Sequence, residues 1–190
     1  MNETLFLLLN ADNTSPHLLL AAAAFIADYV SLLVPLTLTV MWCVGRQREA
    51  AFRALLAALL ALGLGQLISH VYFHPRPFMV PLGHTFATHA ADASFPSDHG
   101  IVFFSVSAAL LLCRRWLAGL LLLAAGVAVA WSRIYLGIHF PFDMLGALGV
   151  SLAACVIVWA GWAPAGARLL HWSERLYGRV LTAVFRSPAA

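Results

Sequence analysis

Lysine is missing altogether from this chain of 190 residues, and eleven arginines carry all of its basic side-chain charge apart from histidine. Charge of either sign is scarce. Only 10% of residues are charged, against roughly 25% in soluble domains. With 62% hydrophobic residues, too little polar surface exists to cover a water-soluble core. That shortage excludes an ordinary soluble domain and makes this an integral membrane protein. Cysteine is sparse too, and Cys43, Cys113 and Cys155 each fall in or at the end of an apolar run. An odd, scattered set offers neither a disulfide framework nor metal spacing, so the three are read as small core hydrophobes. No positively charged, cleavable leader is visible at the N-terminus, so the first long run is expected to stay as an anchor. The length fits one domain, residues 1–190.

Long apolar runs are what the chain does have. A short piece, Leu5 to Leu9, cannot cross a bilayer, which takes about 20 residues. Within Met1 to Pro16 it is expected to lie in the membrane interface. Five spans follow: His17 to Val44 with a kink at Pro35, Ala51 to Phe73, Ser97 to Cys113, Trp116 to Tyr135, and Pro141 to Trp162. Asp28 sits inside the first, either as a functional carboxylate or as a hydrogen-bonding partner in the bundle. A polar connection of about twenty residues, Pro75 to Phe95, is long enough to be a lid or binding loop. Trp131 and Tyr135 read as interfacial anchors. From Ala165 onward, Arg168, His171, Arg175, Arg179, Thr182 and Arg186 recur every three or four residues, as in a basic amphipathic helix on an anionic lipid surface. Five spans put nine of the eleven arginines on one side, and only Arg76 and Arg133 on the other. The positive-inside rule makes the nine-arginine side cytoplasmic, with the C-terminus there.

The polar residues of the opposite side form a pattern. Ser97, in Ser94-Phe95-Pro96-Ser97-Asp98-His99, is a good N-cap, and the free N–H groups behind it make an anion site. His139 and Asp143 lie four apart across a helix start, a spacing at which the carboxylate reaches one imidazole nitrogen and activates the other. Arg133 precedes His139 by six residues, with the Gly137 bend between them. Arginine forks match phosphate oxygens, so Arg76 and Arg133 at one membrane edge point to an anionic ligand. His70 and His74 are also four apart, but no third ligand at recognisable spacing accompanies them, and no metal or cofactor is expected.

Arg76-Pro77, Pro96-Ser97-Asp98-His99 and Ser132-Arg133…His139…Asp143 resemble the three signature motifs of the type 2 phosphatidic acid phosphatase (PAP2) superfamily. The wording around them is most similar to its undecaprenyl-diphosphate phosphatase branch of the bacitracin-resistance type. The resemblance implies an all-α bundle of five to six transmembrane helices, with His139 as nucleophile, Asp143 orienting it, and His99 as acid and base. It further implies that Arg76, Arg133, Ser97 and the backbone N–H groups around Asp98 hold the phosphate. Asp98 replaces the family's usual glycine. Ser69 stands where the family usually has a first-motif lysine, and His70 or His74 is a candidate to fill that gap. The implied substrate is a polyprenyl diphosphate in the bacterial cytoplasmic membrane, handled on the outer face for peptidoglycan synthesis, with no nucleic acid partner. Phosphatidic acid and phosphatidylglycerophosphate remain as alternative substrates. A small transporter with Asp28 and the histidines as its path is the reading from another class. It lacks paired repeats, and its polar residues gather at one end rather than mid-membrane.

Overall fold

The structure is a computed structural model and describes residues 1–185. It is all-helical: α1 (Asn2–Leu9), α2 (His17–Tyr29), α3 (Leu33–Cys43), α4 (Arg48–Val71), α5 (Asp98–Leu112), α6 (Trp116–Tyr135), α7 (Pro141–Gly161) and α8 (Ala167–Phe185). Four stretches are long and apolar enough to cross a membrane: α2–α3 together, α4, α6 and α7. The protein is therefore a multi-pass membrane protein.

α5 is only fifteen residues long, and it is the hub. It packs on α4, α6 and α7, and its buried residues point in all directions, including Ile101, Phe103, Val106 and Leu110. A helix apolar all round belongs inside a bundle, whatever its length. Its neighbours come close because they present small residues. One face of α4 is Ala50, Ala54, Ala57, Ala58, Ala61 and Gly65. On α6, a Cβ at Gly126 would sit 2.7 Å from that of Phe103. Such small-residue faces let helix backbones approach in lipid, where the hydrophobic effect does not hold helices together.

Pro35 acts where expected, but a turn upstream of itself. It has no N–H to offer the carbonyl of Ser31, and the helix tightens to a 3₁₀ turn over Val30–Leu32 between α2 and α3. Several expectations need correction. α1 is not simply an interfacial piece, because it docks on α6 and α7 with Phe6 fully buried, edge-on to Phe140 at 5.2 Å. Tyr135 is buried and stacked on Trp131 rather than anchored at an interface. Cys155 is buried as expected, but Cys43 is exposed. Asp28 is exposed as well, so it is no buried bundle partner. α8 realises the basic tail through Thr182 and leaves Leu169, Trp172, Leu176 and Val180 uncovered along one face. Arg186 lies outside the described residues.

The connection between α4 and α5 is tied down rather than free. The Asn10 side-chain amide donates to the carbonyls of His84 (2.9 Å) and Tyr135 (3.0 Å) and accepts from the His84 N–H (2.7 Å). Phe86 N–H adds a bond to the Leu136 carbonyl. Gly137 makes this close passage possible: its φ is +81°, and a Cβ there would lie 2.2 Å from the His84 oxygen. Gly137→Ala is therefore expected to destabilise the protein by about 1–3 kcal/mol, from the left-handed backbone alone. Thermal unfolding in detergent measures it, and an unchanged midpoint would refute the role given to this bend.

Candidate active site

Three chain segments converge at one end of the bundle around a cleft of about 560 Å³. The end of α4 and the strap behind it bring Ser69, His70 and Arg76, the start of α5 brings Asp98 and His99, and the α6–α7 corner brings Arg133 and His139. Asp143, in the first turn of α7, supports His139 from beneath. The spacing argument for this pair is met: His139 Nδ1 lies 3.2 Å from Asp143 Oδ2.

The partners of His139 fix its tautomer. Nδ1 faces the carboxylate, so it carries the proton. Nε2 lies 3.0 Å from the Arg76 guanidinium, which only donates, so Nε2 carries the lone pair and accepts from Arg76 at the wall of the cleft. The imidazole is buried and lies in the loop between the two spans. Burial first, then the charges of Arg76 and Arg133, hold it well below its ordinary protonation range. It is thus a neutral base whose in-plane Nε2 lone pair is held by Arg76 and is free to react only when that guanidinium turns away.

His99 is arranged likewise: its Nε2 is 2.9 Å from Arg133 Nη2. His139 and His99 are thus each capped by an arginine. The two arginines differ, however. Arg76 is nearly saturated, with bonds to Asp92 (2.8 Å), the carbonyls of Ala93 and Ile138, and His139. Arg133 is buried, yet its Nε and Nη1 have no partner among the described residues. Unpaired donors on a buried cation cost free energy unless an anion completes them.

The other expected residues are spread around this centre. Ser97 lies under the cleft rather than in its lining, and its hydroxyl caps α5 by accepting from Gly100 N–H at 3.4 Å. The Asp98 side chain accepts both ends of a contact from the Gln66 amide (3.0 and 3.1 Å). Ser69 lines the cleft, but its hydroxyl donates to the Phe95 carbonyl (2.9 Å) and so holds the strap. His70 is exposed in the lining. His74 is elsewhere, behind Asp143. Among the described residues no cluster of metal-ligating side chains forms.

Three participants escaped the sequence reading: Ser94, Gln66 and Asp92. Ser94 is fully buried and its hydroxyl donates to Asp143 Oδ2, with His139 Nδ1 at 3.2 Å. Its only signal was its place in the run before Pro96. Asp92 is an exposed loop carboxylate with nothing in its neighbours to mark it. Burial raises its carboxyl, but the hydrogen bond and charge of Arg76 outweigh this and hold it below the ordinary range. It occupies one edge of the Arg76 guanidinium, where an anion entering the cleft would compete with it. Asp92→Asn is expected to tighten inhibition by inorganic phosphate by about 2- to 5-fold, the worth of an exposed ion pair. An unchanged inhibition constant would mean that Asp92 does not compete for Arg76.

Known proteins resemble this chain over most of its length. A family model described as PAP2 superfamily matches residues 50–166. YbjG of Escherichia coli (strain K12) is 39% identical over 93% of this chain and 90% of its own. The undecaprenyl-diphosphatase BcrC of Bacillus subtilis (strain 168) is 35% identical over 80% of this chain and 79% of its own. The crystal structure of Aquifex aeolicus LpxE superposes with a TM-score of 0.69, covering 84% of this chain and 94% of that one at 24% identity. This last likeness concerns the fold.

Proposed function

We propose, since the chain belongs to the PAP2 superfamily, that it is a membrane lipid phosphatase that hydrolyses undecaprenyl diphosphate to undecaprenyl phosphate and inorganic phosphate. The observation that carries this reading is the buried Arg133 with two unpaired donors, at the same cleft as a neutral His139 whose Nε2 is held by Arg76.

Arg76 turns the N–H that holds His139 Nε2 to the phosphate, Nε2 attacks the terminal phosphorus, and the bond from that phosphorus to the bridging oxygen breaks. His99 gives the leaving oxygen its proton. Arg133, as it turns its donors to the phosphate, frees the lone pair of His99 Nε2, which takes up the proton carried by the bound diphosphate and passes it to the leaving oxygen. Water then attacks the phosphohistidine, His99 takes its proton, and phosphate leaves while His139 is restored. Asp143 stabilises the positive charge on the phosphorylated imidazole. General acid–base help of this kind contributes about 10²- to 10⁴-fold, and placement of the phosphoryl group by charge contributes most of the rest.

The lipid part of the substrate has room as well. Asp98 and His99 also border a small cavity with Ser31, Val102 and Phe103. Val102 in turn lines an apolar groove of about 630 Å³ between α3 and α4, with Val34, Leu38, Leu55, Leu59 and Leu62. This series of spaces leads from the phosphate cleft toward the far end of the bundle, as a prenyl chain requires. With α5 counted as a fifth, short crossing, the cleft lies on the side of Arg76 and Arg133. We place that side outward, the arginine-rich side and α8 in the cytoplasm, and the whole in the bacterial cytoplasmic membrane.

The test is phosphate release by detergent-purified protein in the presence of EDTA, from undecaprenyl diphosphate and from phosphatidic acid in parallel. Release from the first that exceeds the second supports the reading. Equal release would keep the chemistry and reassign the substrate, and no release from either would refute the enzyme.

A further inference from the structure

Asp143 is the group around which the nucleophile is built, and its two oxygens are treated very differently. Oδ2 has three partners: the Ser94 hydroxyl, the Phe140 N–H at 2.8 Å and His139 Nδ1 at 3.2 Å. Oδ1 is buried and has none. It faces a second buried orphan, the Nδ1 of His74, at 3.9 Å. A carboxylate oxygen only accepts, and a neutral imidazole nitrogen bearing hydrogen donates. The separation is too long for a hydrogen bond, yet each atom leaves the other as its facing complement. Buried polar atoms in native proteins find partners, and exceptions call for a reason. Catalytic contacts often lengthen in the empty enzyme and tighten when substrate is bound.

We infer that His74 and Ser94 are positioning residues for the reaction, which hold the Asp143 carboxylate from its two sides and so aim His139 at phosphorus. Ser94 donates to Oδ2. His74 donates Nδ1–H to Oδ1 when the cleft is filled. The two are joined to one another, since the Ser94 N–H donates to the His74 carbonyl at 2.8 Å. The strap between α4 and α5 therefore delivers both at once. Packing sets the ring of His74: it stacks on Tyr72 at 6.2 Å and meets the edge of Phe140 at 5.4 Å. His74 is thus oriented by aromatic neighbours and points its nitrogen at the carboxylate, away from the cleft lining. Neither residue touches substrate.

This inference rests on His139 being the nucleophile. It is tested by measuring kcat and KM for lipid diphosphate hydrolysis in His74→Phe, His74→Asn and Ser94→Ala, each with its thermal midpoint. His74→Phe keeps the aromatic packing and removes the donor, while His74→Asn keeps a donor near the place of Nδ1. The expected result is a fall in kcat of about 10-fold in His74→Phe and in Ser94→Ala, the cost of leaving a buried partner unpaired. KM is expected to stay within about 2-fold, and Asn to recover most of the rate, a pattern that loss of packing alone would not give. In an Asp143→Asn background the same His74→Phe change is expected to cost little further, because coupled groups do not add. Equal rates in wild type and His74→Phe, or additive losses in the double variant, would overturn the role given to His74. A variant whose thermal midpoint collapses is judged on the Asn variant instead, where failure to recover activity in a folded protein counts against the role. Inactive wild-type protein would overturn the phosphatase reading itself, a separate outcome.

Discussion

Replacement of His139 by alanine is expected to lower phosphate release from undecaprenyl diphosphate on the order of 10⁴-fold or more, because the nucleophile and its activated lone pair disappear together. The arrangement leaves no substitute. His99 is the only other imidazole in hydrogen-bond contact with an arginine of the cleft among the described residues, and it lacks a carboxylate behind it. Asp98 has an amide from Gln66 against both oxygens and no adjacent base. The structural cost of the change is smaller than the chemical one, since alanine keeps the loop backbone, whose His139 N–H bonds the Arg133 carbonyl at 3.3 Å. Rapid acid-free quenching with labelled substrate follows the phosphorylated protein directly. Wild type is expected to show a labelled, acid-labile intermediate, and the alanine variant none. A variant that keeps a tenth of the wild-type rate would remove His139 from the mechanism.

Arg133→Lys is expected to lower kcat/KM by about 10²- to 10³-fold, the usual cost of removing a preorganised donor to developing charge. The substitution keeps the positive charge and loses the planar fork, so the size of the effect separates geometry from electrostatics. Nε and Nη1 of Arg133 are buried without partners, and Nη2 alone is occupied, by His99. A lysine has one nitrogen to serve both tasks. Arg76→Lys is expected to be milder in substrate binding, because Arg76 already spends its donors on Asp92, Ala93, Ile138 and His139. Steady-state kinetics on both variants checks the ranking. A smaller loss at Arg133 than at Arg76 would mean that the unpaired donors of Arg133 are not phosphate contacts.

The transmembrane order was legible because each run is long and apolar and each ends in recognisable punctuation: Pro141 at a helix start, the Arg114-Arg115 turn, the Ser97 cap. The His139–Asp143 contact was legible because i, i+4 spacing at a helix start has few geometric outcomes. What the sequence hid lies in the strap between α4 and α5. Ser94, His74 and Asp92 are set by where that strap runs, and its course depends on Asn10, more than sixty residues earlier. No local periodicity encodes such a contact. The bounds of α5 were legible, Ser97 to Cys113 against Asp98–Leu112, but its central place was hidden for another reason. Its residues have the composition of a span, and only the packing of α4, α6 and α7 around it shows that it is the core.

The seating of α1 sets an order of assembly. Asn2 accepts the Phe142 N–H across 140 positions, and Asn10 meets Tyr135 across 125. α1 therefore finds its place only after α6 and the start of α7 exist, although it precedes them in the chain. Until then Asn10 is not seated, and the strap lacks its fastening at His84, so the end of the bundle that holds the cleft closes only once the α6–α7 corner is in place.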